Sequence, residues 1–513
     1  MSDAKQAAGE GGARGAGTAG SAEPAAISGI EAMRGVGAAQ AKGFWADAWE
    51  RVVARIGARF ALAWIGVIAF FAVTGPVIAN AHPLWRRNLE TGAWDSPLWQ
   101  NLTAVDLSLL AGALFGVPFV FMPLGLAGRI GMQERASRLG LIFLAALQAG
   151  VTVVVAGVVS AWSRDIDSAP WIRALGEAAA FPWIVSGSVG ALAAVAAGVL
   201  SGGGRVRWLV VALAAAVSVG SSATRWTDRL VNFDTYDVQE ASGRYDIAYT
   251  LVPFSPEFGR SDTYALPPMT KLADAAEATR GRPMGERTVL LGTDALGKDV
   301  LSQMMWACRL SISIGLVSTG IALLIGVTIG ALMGYFGGWV DLLLFRVVEI
   351  FMAIPVLFLL IVAAAVLPRN TYVMMAIIGC VSWTGAARFT RAEFLKLRKQ
   401  DFVQGAQAAG LPLRSVLFRH MLPNGVTPVL VDASFAVAAA IIAEATLSYL
   451  GLGPDGQASW GKLLSSATGV TGNFVWWLAV FPGFAIFFTV LSYNMLGEAM
   501  RDAIDPKLRK AAH

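Results

Sequence analysis

The sequence DFVQGAQAAGLPLRSVLFRHMLPN, residues 401–424, predicts two short helices joined by a sharp turn. Asp401 followed three residues later by Gln404 is typical of a capping box at the start of a helix. Gly410 and Pro412 then indicate where that helix ends, because glycine readily adopts the left-handed conformation of a C-cap and proline cannot continue a helix. We therefore expect the first helix to stop at the glycine.

The remainder of the stretch predicts a second helix. Pro412 can open it, since proline fits the first helical turn, and we expect the helix to end before Pro423. In the first helix Phe402, Ala406 and Ala409 have helical spacing and form a small, mildly apolar face. These residues leave two interpretations open. The segment is either a compact projection that fits a groove on a partner protein or an amphipathic helix that lies on anionic lipid.

The whole chain is too apolar to be a water-soluble protein. Of its 513 residues, 56% are hydrophobic and 15% are charged, and the mean hydropathy is +0.59. These values exclude both a soluble globule and a disordered chain. The two cysteines, Cys308 and Cys380, are too few for a disulfide framework or a metal cluster. The net charge of +5 is expected to reflect basic cytoplasmic loops and not nucleic-acid binding.

Ten apolar stretches have about the length needed to cross a bilayer. They are residues 60–78, 107–126, 139–162, 178–200, 206–222, 311–335, 347–367, 372–387, 427–447 and 474–496. The sequence therefore predicts an all-α polytopic membrane protein.

The distribution of Lys and Arg predicts the orientation of these spans. Basic residues precede the first span and recur through the loop of residues 387–426, so both segments are expected on the cytoplasmic side. An even number of spans then places both chain termini in the cytoplasm. The long polar segment of residues 224–309 is expected on the opposite side.

The stretch quoted first is similar to the EAA loop of ABC importer permeases. The positions of that motif are occupied here by Gln404, Gly405, Ala406, Gly410, Leu422 and Pro423. Glutamine in place of glutamate and glycine in place of alanine are departures from the motif, and His420 replaces an apolar residue. The resemblance implies that this loop is a coupling helix seated in a cleft of an ATPase subunit. The residues implied in the contact are Asp401, Gln404, Gly405, Ala406, Gly410, Arg414, Leu422 and Pro423.

The resemblance covers about residues 291–509 and also the first span. LGTDALGKDVLSQ, GYFGGWVD, EATLSYLGLG, SWGKLL and NMLGEAMRDAIDPKLR look like the second, C-type permease of dipeptide and oligopeptide ABC importers. The resemblance implies a type I permease core of about six helices that forms half of a translocation pore for peptides or peptide-like solutes. It also implies a homologous B-type permease as heterodimer partner, two ABC ATPase subunits, an extracytoplasmic solute-binding protein and a place in the bacterial inner membrane.

The domain organisation follows from the spans and the resemblance. We expect a disordered cytoplasmic tail (1–45), a lead and first transmembrane helix (46–78), an inserted region of about four transmembrane helices (79–222), a small extracytoplasmic domain (223–309), a permease core (310–500) with its coupling loop (388–426), and a cytoplasmic C-terminal tail (501–513). The inserted region has no counterpart in the usual six-span permease.

Two further sets of residues are candidates for function. Gly326, Gly330, Gly334 and Gly338 recur every four residues and predict close helix packing, either within the chain or as a gliding surface between two permeases. Glu349 and Glu444 lie within or near spans, where a carboxylate is costly, so they are expected to face protein or water. We interpret both as possible pore or gate residues, and favour a structural hydrogen bond for Glu444.

No residue of this chain is expected to perform bond chemistry. Two segments, 292–299 and 456–463, approach a phosphate-binding loop but lack the hydroxyl residue after the lysine. We therefore expect no metal or cofactor on this chain, and ATP with Mg to be used by partner ATPase subunits. A proton-coupled secondary transporter that uses one of the two glutamates is the alternative. A membrane-embedded enzyme is disfavoured because the three histidines are scattered.

Overall fold

The computed structural model describes residues 44–116, 188, 233–260, 263–272, 287–425, 427–468 and 474–504. The chain divides into a unit of residues Met1–Ala48 and a unit of residues Trp49–His513. Of the first unit, the structure describes residues 44–48, which are helical. The predicted spans 139–162, 178–200 and 206–222 fall outside the described residues, apart from Ser188, as do most of the two predicted tails.

The described residues are mainly helical. The helices are α1 (Phe44–Ala54), α2 (Ile56–Ile78), α3 (Pro97–Asn101), α4 (Ala104–Ala111), α5 (Asp234–Ala241), α6 (Val300–Phe336), α7 (Gly338–Ala353), α8 (Val356–Val366), α9 (Thr371–Val381), α10 (Thr384–Leu397), α11 (Asp401–Ala408), α12 (Leu413–Ser415), α13 (Leu422–Gly425), α14 (Thr427–Tyr449), α15 (Trp460–Ser466) and α16 (Trp476–Ile504). Wider π-helical turns, Gly112–Gly116 and Val416–Met421, follow α4 and α12. The strands are β1 (Trp85–Asn88), β2 (Trp94–Asp95), β3 (Tyr245–Ala248), β4 (Thr270–Lys271) and β5 (Thr288–Val289).

Among the described residues, four helices, α2, α6, α14 and α16, are long and apolar enough to cross a membrane, and two bent pairs bring the number to as many as six. This result confirms the predicted all-α polytopic fold. The predicted span 347–367 is not one straight helix, because α7 and α8 meet at an angle of 82°. Pro355 explains the break: proline disfavours helical backbone in the residue before it, and Ile354 is extended at φ −90° and ψ 129°. The predicted span 372–387 likewise bends by 42° and continues as α10 to Leu397.

Helix α6 is the centre of the packed core. It contacts α2, α9, α10 and α14 along its 37 residues. At about 1.5 Å per residue it is roughly 55 Å long, well beyond the ~30 Å of a hydrocarbon core. One or both of its ends therefore extend past the membrane, and its first turns, from Val300, belong to a segment that the sequence assigned to the outer domain.

A small α/β region adjoins the start of α6. Strand β1 lies between β2 and β3 in an antiparallel sheet, with Arg87 opposite both Trp94 and Asp246. Strands β4 and β5 form a separate pair. The sheet joins residues 85–95 to residues 245–248, so the small domain includes the beginning of the segment that the sequence assigned to the inserted region. Local sequence patterns do not show a pairing between strands so far apart in the chain.

Candidate functional site

The turn after α11 is a glycine C-cap. Gly410 has φ +71°, a conformation that L side chains rarely adopt. Its N–H donates to the Gln407 carbonyl at 2.9 Å, and the Leu411 N–H donates to the Ala406 carbonyl at 3.2 Å. These two bonds form a Schellman motif, which uses carbonyls that the helix end leaves free. The predicted helix stop at Gly410 is confirmed.

The capping box predicted from Asp401 and Gln404 does not form. The helix begins one residue earlier than expected, because the Gln400 carbonyl already accepts from the Val403 N–H at 3.0 Å. Gln400 is therefore the N-cap residue, and no side chain caps this end. Asp401 lies in the first turn, where a negative charge interacts favourably with the helix dipole.

The second helix begins as predicted after Pro412 but does not end before Pro423. Pro412 is its N-cap, and the helical stretch continues through α12, the π-helical turn and α13 to Gly425. In a π-helical turn each N–H points to a carbonyl five residues back. This wider turn ends at Met421, two residues before Pro423, which has no N–H to donate. The Asn424 side chain donates to the His420 carbonyl at 2.7 Å.

One side of this loop packs against the chain itself. Val403 and Ala406 are buried against Phe394 of α10 and against Val416 and Met421 of the second helix. The predicted apolar face of α11 is thus divided. Ala406 is buried, as predicted for an apolar face, whereas Phe402 is exposed. Burial of Val403, which was not predicted, fixes the orientation of the helix.

The other side of the loop presents apolar side chains to the surroundings. Phe402, Leu411 and Leu413 are 44%, 40% and 41% exposed. A Cβ added at Gly405 or Gly410 would meet nothing within 4 Å. We call Phe402, Leu411 and Leu413 the exposed loop triad. Leu411 and Leu413 flank the Gly410 turn, and Phe402 lies in the first turn of α11. Exposed apolar side chains of this size are typical of a contact surface.

Polar contacts join this loop to the ends of two core helices. The Gln407 side-chain amide donates to the Tyr335 hydroxyl at 3.2 Å, and Arg398 donates to the Tyr335 carbonyl at 3.4 Å. Arg391 of α10 forms a two-point ion pair with Asp341 of α7. The loop is therefore linked to α6 directly and to α7 through α10.

Three of the four predicted packing glycines lie against α10 of the same chain. A Cβ added at Gly326, Gly330 or Gly334 would overlap atoms of α10, including backbone carbonyl oxygens. This contact is the close approach expected of a small-residue stripe, and it favours packing within the chain over a surface that glides against another permease. Gly338 lies off the stripe, because α6 ends at Phe336 and the positive φ of Gly337 and Gly338 turns the chain into α7.

The two predicted glutamates occupy different environments. Glu444 is fully buried, and its Oε1 accepts hydrogen bonds from Ser448 at 2.6 Å and Ser459 at 2.7 Å. Glu349 is exposed and pairs with Arg346 at 2.5 Å. A role in a pore or gate stays a prediction for both, and the contacts of Glu444 support the structural interpretation. Ser459 was not among the predicted residues, although a serine directly before the helical pattern of α15 is a typical N-cap.

The segment that approached a phosphate-binding loop, residues 292–299, instead caps α6. The Asp299 carboxylate accepts from the Ser302 N–H at 2.7 Å, which is the N-cap geometry. Burial raises the pKa of the Asp299 carboxyl to about 7, although hydrogen bonding by the Ser302 backbone and side chain acts to lower it. Asp294 accepts from the backbone of the same loop and from the Gln303 amide at 2.9 Å.

The fold and the loop together define a polytopic membrane permease. Residues 326–510 match the family model described as binding-protein-dependent transport system inner membrane component. The chain is 35% identical over 219 residues to a dipeptide transport system permease protein of Alkalihalophilus pseudofirmus, covering 42% of this chain and 72% of that protein. It is 36% identical over 228 residues to an oligopeptide transport system permease protein of Haemophilus influenzae, covering 44% and 73%. It is 35% identical over 222 residues to a glutathione transport system permease protein of Pectobacterium atrosepticum, covering 43% and 73%.

The chain belongs to this family of inner membrane permeases of binding-protein-dependent ABC importers. The predicted permease function is thereby confirmed, and the alternative of a secondary transporter is not favoured. The family is a transport family and not an enzyme family. The matched residues include the glycine stripe, the loop of residues 401–425 and Glu444, whereas the small α/β region precedes them.

Proposed function

We propose that this chain forms half of the pore of an ATP-driven importer of peptides or peptide-like solutes. Relatives named for dipeptide, oligopeptide and glutathione transport support this class of substrate. The other half of the pore is a homologous B-type permease. A solute-binding protein delivers the substrate from outside, and two ABC ATPase subunits use ATP and Mg in the cytoplasm, where both termini of this chain lie.

The exposed loop triad is the observation that carries the coupling role. Phe402, Leu411 and Leu413 remain exposed, although the opposite side of the same loop is buried and hydrogen-bonded to the core. A loop that is rigid on one side and apolar on the other is suited to transmit a push from a partner. The ATPase is the partner proposed here, and it would bury the triad in its cleft.

Co-purification and transport test this contact. Phe402→Ser and Leu411→Ser should weaken binding of the ATPase subunits about tenfold or more, since they remove apolar side chains from the centre of the interface. Gly410→Val should act similarly by straining the turn. Tyr372→Ser is the matched control, because Tyr372 is 69% exposed but lies at the start of α9. Normal ATPase co-purification and normal ATP-dependent peptide uptake in all three loop variants would contradict the proposal.

Orientation needs a separate measurement. A cysteine placed at Arg414 by Arg414→Cys should react with a membrane-impermeant maleimide only when the cytoplasmic side is open. Cys380 is exposed and should first be replaced by serine, whereas Cys308 is buried. Labelling of intact cells from outside would reverse the proposed topology and would place the coupling loop away from ATP.

A further inference from the structure

The three-stranded sheet of the small α/β region has two unlike faces. Arg86 lies on one face, where it bonds Asp95 and donates to Gln239 of α5 at 2.8 Å. Because side chains alternate along a strand, Trp85 and Arg87 point to the opposite face, and the register places Trp94 beside Arg87 on that face. We call Trp85, Arg87 and Trp94 the tryptophan face.

The tryptophan face is exposed and internally ordered. Trp94 is 60% exposed, although its ring centroid lies 4.9 Å from that of Trp85. The Arg87 guanidinium lies over the Trp94 ring, 5.4 Å from its centroid. Leu89, at the hairpin tip, is 55% exposed, and Trp99, on α3, is 52% exposed. The register also places the exposed Asp246 of β3 on this face, so Arg87 lies on the central strand between Trp94 and an acidic residue, and the two tryptophans supply the apolar part of the surface.

The sheet is fastened to the end of a membrane-spanning helix. Helix α2 has 23 residues, so at about 1.5 Å per residue it is close to one hydrocarbon thickness and Ile78 lies near the membrane boundary. The Val252 N–H donates to the Ile78 carbonyl at 2.9 Å, and the Asn80 N–H donates to the Val252 carbonyl at 3.1 Å. A third hydrogen bond, from the Trp306 side chain of α6 to the Ala79 carbonyl at 2.8 Å, anchors the same end of α2.

Short connections therefore keep the sheet at the membrane surface. Ala248, the last residue of β3, is four residues from Val252, and six residues separate Ile78 from β1. Extended chain spans at most about 3.5 Å per residue. Ala248 therefore lies within about 14 Å of Val252, and Trp85 lies within about 25 Å of Ile78. Tryptophan is the residue most characteristic of this interfacial layer, and arginine there reaches the phosphate groups of lipids.

We propose that the tryptophan face lies in the lipid headgroup layer beside the end of α2 and holds the small α/β region against the membrane. The bilayer surface is its partner. Tryptophan rings at the boundary and Arg87 at the phosphates would fix the height and tilt of the region relative to the permease core. The proposal concerns residues that precede the matched family segment and does not depend on the nature of the transported solute.

Site-specific fluorescence tests this placement. The full chain, assembled with its partner subunits and with Cys380→Ser, is given one reporter cysteine, labelled with an environment-sensitive fluorophore and placed in vesicles of phosphatidylcholine and phosphatidylglycerol. Reporters Trp94→Cys and Arg87→Cys lie on the tryptophan face, and the second keeps both tryptophans. Val238→Cys is the control, because Val238 is 68% exposed on α5, the helix that covers the other face.

The proposal expects nitroxide-bearing lipids to quench both face reporters and aqueous iodide to quench the control severalfold more strongly than either. Equal quenching of all three labels by iodide would overturn it, because the face would then lie in water. Face labels that neither quencher reaches would also overturn it, because protein would then cover the face.

Discussion

The hydroxyl of Tyr335 accepts a hydrogen bond from the side-chain amide of Gln407 at 3.2 Å and so joins the last turn of α6 to the last turn of α11. Helix α6 is the central helix of the core, and α11 belongs to the loop proposed to contact the ATPase. Apart from the hydrophobic contacts of the loop, this bond is a direct polar route by which displacement of α11 would reach α6.

Tyr335→Phe removes that route while keeping the ring. A hydrogen bond of this kind contributes about 0.5–1.5 kcal/mol, so peptide uptake per ATP hydrolysed should fall about two- to tenfold, with ATP hydrolysis retained. Tyr372→Phe is the control, since Tyr372 is exposed at the start of α9. The measurement is the ratio of uptake to hydrolysis in vesicles. An unchanged ratio would show that the coupling does not pass through this bond.

Local features of the sequence predicted the turn of the loop and the start of its second helix, but not the start of α11 or the end of the second helix. The helix end at Gly410 was predictable from neighbouring residues alone, because a glycine followed two residues later by proline indicates a C-cap. The long apolar helices α2, α6, α14 and α16 were equally visible, since membrane insertion needs only length and hydropathy. Pro355 also indicated a helix break, but the apolar residues on both sides of it led to the prediction of a single span, 347–367.

Features that depend on distant parts of the chain were not predictable in the same way. The pairing of β1 with β3 joins the start of the predicted inserted region to a strand beyond its end. The orientation of α11 depends on where Val403 packs, and that in turn depends on α10 and the second helix of the loop. Periodicity identified the glycine stripe, but it did not identify α10 as the helix against which the stripe packs.

Gly330→Ala should destabilise the protein by about 1–3 kcal/mol, because the new methyl group would overlap the Ala387 carbonyl of α10 and force the two helices apart. Gly320→Ala is a matched control on the same helix, where an added Cβ meets nothing within 4 Å. Thermal unfolding in detergent compares the two. Equal melting temperatures would indicate that α6 and α10 do not pack as closely as described.

Arg309→Leu should destabilise the protein by about 3–5 kcal/mol, because it leaves the carboxylate of Asp106 buried without its ion-pair partner. The Arg309–Asp106 pair, at 2.5 Å, connects α6 to α4. Arg346→Leu removes a pair that is exposed and should cost no more than about 1 kcal/mol. The double variant Arg309→Leu with Asp106→Asn should recover part of the loss. Absence of any recovery would assign the effect to packing and not to the unpaired charge.

The stability of the small α/β region should depend on Asp299 in the weakly acidic range. Its pKa is about 7 in the folded protein against an ordinary value of 3.8, so folding favours the protonated form. The stabilisation is therefore fully present below about pH 4 and is lost as the pH rises through 7. Asp299→Asn retains a capping oxygen and removes the titration. Melting temperatures measured between about pH 5 and pH 8 should fall more steeply for the wild type. Parallel curves would contradict the prediction.

The buried carboxylate of Glu444 can be tested by separating its charge from its hydrogen bonds. Glu444→Ala leaves the Ser448 and Ser459 hydroxyls without their acceptor and should cost about 1–3 kcal/mol beyond the loss of packing. Glu444→Gln keeps an oxygen at the same place and should lose much less. Ser459 also caps α15, so the alanine variant should loosen α15 against α14, which hydrogen exchange can measure. If the glutamine variant is as unstable as the alanine variant, the hydrogen bonds of Glu444 do not account for its role. That outcome would favour the pore or gate interpretation.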